Sequence, residues 1–329
     1  MAVAPETFPV VRAGAIEVES AAERWLIHSL WSRTAVGIIG GAPKCCKSWF
    51  GLDMAVSVAS GTPCLDRFAV EATGPALVYL AEDALPMVRS RIDAICQHRG
   101  LDILTLDLHV ITAPALRLDL AKDQQKLAAT VQSLRPRLLL LDPLVRLHRL
   151  DENSASEISG LLGFLRELQR AAEVAVVLVH HASKKHRAQP GQSLRGSSDL
   201  HAFGDCNAYL AARNDGLVLT LDHRAAKAPE PMELALVSRP DGSATHLALS
   251  NPAAAAQSAA AASLEDNVLT LLRRVATPKT RNDLRIELRV NNERLGSVLQ
   301  DLEARTLITR SSLGWTHAAL GTDLPFPPI

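Results

Sequence analysis

Residues 34–48, TAVGIIGGAPKCCKS, join an apolar run to a turn rich in glycine and lysine, and then to a stretch of helical periodicity over Lys47–Ala59. A strand feeding a helix through such a turn leaves the first helical N–H groups facing the turn. There they, and the helix dipole, favour an anion. Gly41-Ala42-Pro43-Lys44-Cys45-Cys46-Lys47-Ser48 nearly matches the phosphate-loop pattern G-x-x-x-x-G-K-[ST]. The pattern predicts that the loop from Gly41 to Trp49 cradles ATP, that Lys47 meets the β- and γ-phosphates, and that Ser48 ligates Mg²⁺. One position departs from it. Cys46 stands where the last glycine belongs, and glycine there lets the backbone approach a phosphate without a Cβ. The paired thiols of Cys45 and Cys46 have two readings, as small packing residues or as a redox gate with lowered thiol pKa beside Lys44.

Further apolar runs follow at helix-sized intervals: Pro75–Ala81, Leu138–Asp142 and Val174–His180, with helical stretches at 86–98, 120–134 and 154–172. Strands apolar throughout and separated by helices predict a mostly parallel sheet covered on both faces. Leu138–Asp142, LLLLD, places Asp142 at a strand end, where it serves Mg²⁺. The next residue is Pro143, which carries no carboxylate, so the base has to come from another strand. Glu82, in YLAED, is the predicted general base, and Asp83 or Glu82 is otherwise a helix cap. His180 and His181 end the third strand and point to opposite sides, which argues against one shared metal. His180 is the predicted γ-phosphate sensor. Arg224 or Lys227 is a candidate to act across a subunit interface on a neighbour's ATP, and the LRGSS segment follows a Lys-rich loop that reads as solvated or facing nucleic acid. After about residue 215, Gly216–Asp222, Met232–Val237 and Thr245–Leu249 read as short antiparallel strands added to one sheet edge.

Lys+Arg and Asp+Glu both number 35, so no polybasic mode governs the whole chain. No apolar run approaches the ~18 residues of a membrane helix. The start lacks a secretory signal pattern, and five cysteines, two adjacent and three scattered, fit a reducing cytoplasm. Residues 251–263, NPAAAAQSAAAAS, read as a linker between a domain over 1–250 and a second over 264–329. In the second, Thr280-x-x-Asp283 opens a short helix, Asn291 or Asn292 caps a third, and two short strands follow, the pattern of a winged helix. Residues 271–310 hold nine Lys/Arg against five Asp/Glu, a patch suited to DNA phosphates, with Arg294, Ser297 and Gln300 outward on the third helix. A protein-contact or oligomerisation role is the alternative.

Taken in order, GGAPKCCKS, YLAED, LLLLDPLVRLH with DENSASE, VHHASK and LRGSS resemble the RepA-type hexameric plasmid replicative helicases, of the RecA/DnaB-like ATPases, over residues 20–240. The resemblance implies an α/β RecA-like core that forms a ring with ATP at subunit interfaces. It implies nucleotide binding by Lys47 and Ser48, Mg²⁺ at Asp142, Glu82 as base, His180 as sensor, and Arg195 and Arg224 acting across the interface. The function it implies is an ATP-driven DNA motor engaging single-stranded DNA through the core, with duplex DNA open to the C-terminal domain. A nucleotide-gated DNA-binding switch and a recombination ATPase of the same fold are the other readings.

Overall fold

The computed structural model describes residues 8–16, 23–152, 154–181, 198–213, 216–250, 264, 268–273, 277–288, 290 and 292–318. The chain divides into two compact units, residues 1–249 and 250–329.

The first unit opens with two short strands, β1 (Trp25–Ile27) and β2 (Trp31–Ser32), paired antiparallel. Trp25, Leu26, Leu30 and Trp31 are buried on this small hairpin. The phosphate-loop strand β3 (Val36–Gly41) leads to α1 (Lys47–Ser60). There follow β4 (Ala76–Leu80), α2 (Leu85–Arg99), β5 (Leu108–Val110), α3 (Ala121–Leu134), β6 (Leu138–Asp142), α4 (Ala155–Ala172) and β7 (Ala175–His181). The short helix α5 (Ser198–Phe203) precedes β8 (Cys206–Arg213), β9 (Gly216–His223), β10 (Met232–Val237) and β11 (His246–Leu249).

Strands β3–β11 form one nine-stranded sheet in the order β11-β10-β9-β8-β3-β7-β6-β4-β5. Pairings from β8 through β3 to β5 are parallel, and β8–β9, β9–β10 and β10–β11 are antiparallel. The antiparallel extension stands at one edge, as expected from its turn-rich sequence. Strand β8 was not anticipated. It pairs parallel to β3 so closely that a Cβ on Gly41 would lie 2.3 Å from the Leu210 carbonyl oxygen. Gly41 is thus required by the sheet as much as by the loop.

Alternate residues of each central strand enter different cores. Ile39, Val78, Leu138, Leu140, Val177 and Val179 pack with α1 and α2. Ile38, Leu77, Tyr79, Leu139, Leu141, Val176 and Leu178 pack with α3 and α4. All four leucines of β6 are buried, which explains a run with no polar alternation. Each contributes about 1.5–3 kcal/mol of burial. Among the described residues no helix is long and apolar enough to cross a membrane.

The second unit has helical residues at 268–273, α6 (Arg281–Leu288), α7 (Asn292–Ala304) and a hairpin of β12 (Ile308–Ser311) with β13 (Gly314–His317). Its core joins Val268, Leu272, Leu284, Leu295, Leu299, Leu302, Ile308 and Trp315. Thr280 and Asp283 form a reciprocal capping box: Thr280 N–H donates to Asp283 Oδ2 at 3.1 Å, and Asp283 N–H to Thr280 Oγ1 at 3.2 Å. Ser297 and Gln300 are exposed on α7, as expected. The Ala-rich residues 251–263 and the side chain of Arg294 lie outside the described residues.

Candidate active site

Parallel strands β3, β4, β6 and β7 bring their C-terminal ends to one side of the sheet, the edge where open α/β sheets bind ligands. There a pocket of about 310 Å³ is lined by Lys44, Cys45, Cys46, Lys47, Ser48, Trp49, Glu82, Arg91, Asp142 and His181. A larger cavity, about 750 Å³, opens between α3 and α4 beside Pro75 and Arg137, which precede β4 and β6. It lies at the opposite strand ends, so volume alone does not mark the site.

Gly41, Ala42 and Pro43 enter the loop, and Lys47 Nζ donates to the Ala42 carbonyl oxygen at 2.7 Å. Burial pushes the Lys47 ammonium pKa down, opposed by Cys45 and Asp142. Cys46 is the N-cap of α1 and has φ 55°, the left-handed conformation that suits the glycine of the pattern. A side chain there costs about 1–2 kcal/mol. Burial also pushes the Cys46 thiol up, with Cys45 adding to the shift. That direction runs against a redox gate, and Cys46 packs against the core on the α1 side of the sheet. Cys46→Gly is expected to stabilise the protein by about 1 kcal/mol, seen as a Tm rise of about 2–4 °C in thermal unfolding.

Asp142 ends β6, is 6% exposed, and its Oδ2 has no hydrogen-bond partner among the described residues. Its pKa is pushed up to about 6, chiefly by burial, with the Ser48 hydroxyl pulling the other way and Asp83 adding to the rise. An orphaned carboxylate oxygen beside a serine hydroxyl is a donor set that fits a hard divalent cation.

Glu82 lines the pocket, and its Oε1 accepts from Arg146 Nε at 2.6 Å. Asp83 is committed to Arg91 at 2.5 Å. Neither carboxylate caps α2, which starts after Ala84 with no side-chain cap. Arg91 also lies over the Trp49 ring, 5.8 Å from its centroid.

His180 does not reach the pocket. It is fully buried, with Nδ1 3.7 Å from Glu152 Oε1, and His148 lies 3.6 Å from the same oxygen. The reason is strand parity. Val177 and Val179 face α1, so His181 follows them to the phosphate-loop side and His180 follows Leu178 to the other. It is therefore His181, not His180, that lines the pocket.

Arg224 follows β9 and donates to Asp205 Oδ1 at 3.1 Å and to the Ala202 carbonyl. Asp205 also accepts from Arg166 and from the Val36 N–H at the start of β3. Arg224 therefore sits at the sheet end opposite its own phosphate loop. Lys227 is exposed, and Arg195 lies outside the described residues. Sequence reasoning missed Arg91, Arg146 and His181. Only His181 carried a signal, as the neighbour of a named strand-end residue.

Solved structures with a similar fold include the crystal structure of the RadB recombinase, 15% identical. That match has a TM-score of 0.47 and covers 62% of this chain and 88% of that one. The AAA_25 family model, described as an AAA domain, matches residues 3–187, more than half of the chain. With its strand–loop–helix pocket and strand-end carboxylates, the chain belongs to the AAA_25 family of RecA-like P-loop ATPases.

Proposed function

We propose that this chain is an ATP-driven DNA motor, a replicative helicase of a plasmid or other mobile element, that works as a hexameric ring with ATP at its subunit interfaces. The observation that carries the ATPase chemistry is the meeting of Lys47, Ser48, Glu82, Asp142 and His181 in one pocket. The loop N–H groups and Lys47 bind the phosphates. Ser48 and Asp142 would hold Mg²⁺, which when bound neutralises phosphate charge. Glu82 orients a water and accepts its proton as the water oxygen bonds to the γ-phosphorus and the bond to the bridging oxygen breaks. His181 monitors the γ-phosphate. Arg224, remote from its own pocket, and Arg195 serve a neighbour's nucleotide.

The DNA part of the reading rests on the ordered motif set and on the second unit. That unit has three helical stretches and a hairpin in the order of a winged helix, within a locally basic sequence. The test is steady-state ATP hydrolysis by the reduced protein with and without single-stranded DNA, beside sedimentation with nucleotide and a duplex-unwinding assay. DNA-stimulated turnover, six-chain particles and unwinding are expected. Filaments with strand pairing instead of unwinding would favour a recombination ATPase. Nucleotide binding without turnover would favour a switch, a reading that the left-handed Cys46 and the Arg146-held Glu82 support.

A further inference from the structure

Asp66, His98 and His246 meet in the first unit, away from the phosphate pocket. Asp66 lies just beyond the C-terminal end of α1, whose N-terminal end carries the phosphate loop. The helix has 14 residues, a length of about 21 Å at 1.5 Å per residue. His98 is in the last turn of α2, and His246 opens β11, the outermost strand of the antiparallel extension. One potential ligand atom from each residue lies within 4.8 Å of the other two.

We propose that these three residues bind a divalent transition metal of the Zn²⁺ class, which clips β11 to α1 and α2. Two nitrogens and one carboxylate oxygen favour Zn²⁺, Co²⁺ or Ni²⁺ over Mg²⁺ and Ca²⁺, which take oxygen ligands. His98 Nε2 is 2.7 Å from Asp66 Oδ2. The His98 and His246 rings stack with centroids 3.4 Å apart and planes 10° from parallel. His246 Nδ1–H donates to the Ala244 carbonyl at 2.7 Å, which leaves Nε2 with its lone pair. Such a backbone bond fixes the tautomer of many ligating histidines.

The surroundings hold the ligands in place. His246 is 8% exposed. The buried Asp53–Arg99 pair, 2.6 Å apart, ties the turn before Asp66 to the helix end bearing His98. Asp53 Oδ2 also accepts the Leu65 N–H at 2.8 Å and the Cys64 thiol at 3.1 Å. An ion takes the place of the proton between His98 and Asp66, and His98 then ligates through Nε2 as the tautomer that carries its proton on Nδ1. Ligand atoms about 2.0–2.2 Å from a tetrahedral ion stand about 3.3 Å apart, so the carboxylate moves out slightly and the rings turn from parallel. Three protein ligands leave a fourth position for water.

The test uses the full-length protein, stripped with chelator and free of nucleotide, titrated with ZnCl₂ and separately with CoCl₂. One equivalent is expected to bind, and about 100-fold excess over Kd is expected to raise the Tm by roughly 5–10 °C. Asp66→Asn is the informative variant. Asp66 is exposed with φ 54°, a conformation that asparagine tolerates, so the metal-free Tm is retained while the metal-dependent rise is lost. Bound Co²⁺ is expected to show d–d bands without thiolate charge transfer. No Tm rise, an equal rise in Asp66→Asn, or a thiolate–cobalt band from Cys45 and Cys46 would overturn the proposal.

Discussion

Glu82→Gln is expected to bind ATP with wild-type affinity and to hydrolyse it about 10²–10⁴-fold more slowly. The pocket offers few other bases. Asp142 stands beside Ser48 and Lys47, where we propose it holds the cation, and Pro143 follows it. Asp83 is paired with Arg91. Glutamine keeps the length and the acceptor oxygen of Glu82 but cannot take a proton from water. The loss therefore falls on kcat and leaves KM close to its value. Arg146 sharpens the test, because its Nε holds Glu82 Oε1 at 2.6 Å while its side chain is mostly exposed. A surface pair of this kind is worth at most about 1 kcal/mol. Arg146→Ala should therefore alter turnover only severalfold, an order of magnitude or more short of the Glu82→Gln loss. Turnover retained in Glu82→Gln would remove the base assignment.

Local signals located the strands and the loop, and long-range register decided which side chains share the site. Leu138–Asp142 was legible to the residue because an apolar run bounded by Pro136 and Pro143 has little else to become. Met232–Val237 was legible for the same reason, set off by a Pro-rich turn. Strand β8, CNAYLAAR, was not legible, since its mixed polarity reflects one buried half and one exposed half set by pairing with β3 and β9. The spacing of Trp25, Leu26, Leu30 and Trp31 is compatible with several local structures, and the hairpin arises from packing against the α1 face of the sheet. The two histidines show the limit most clearly. Alternation dictates that they face opposite sides, but the choice depends on pairing such as Leu138 with Ala175, which no local pattern encodes. Asp66, His98 and His246 are farther still from legibility, because their separations match no metal-ligand spacing.

Asp142→Asn is expected to separate stability from function. In the folded chain the carboxyl titrates near 6, against about 3.9 in an unfolded one. The folded state therefore binds more protons between about pH 4 and 6, and stability falls as pH rises through that window. At pH 7 the buried carboxylate costs about 2–3 kcal/mol relative to its protonated form. Asparagine has nearly the same shape and no charge. Without Mg²⁺ and nucleotide, the variant should gain that amount at pH 7 and gain almost nothing at pH 4. In thermal unfolding the gain is about 5–10 °C at pH 7 for a unit of this size. The same change removes the orphaned anionic oxygen that suits a divalent cation, so Mg²⁺-dependent nucleotide binding and hydrolysis should collapse. Equal Tm values for the two proteins at pH 7 would show that the carboxylate is already compensated in the fold by Lys47 and Ser48. A variant both more stable and inactive would show that the sequence keeps a destabilising charge at the end of β6 because the phosphate chemistry requires it.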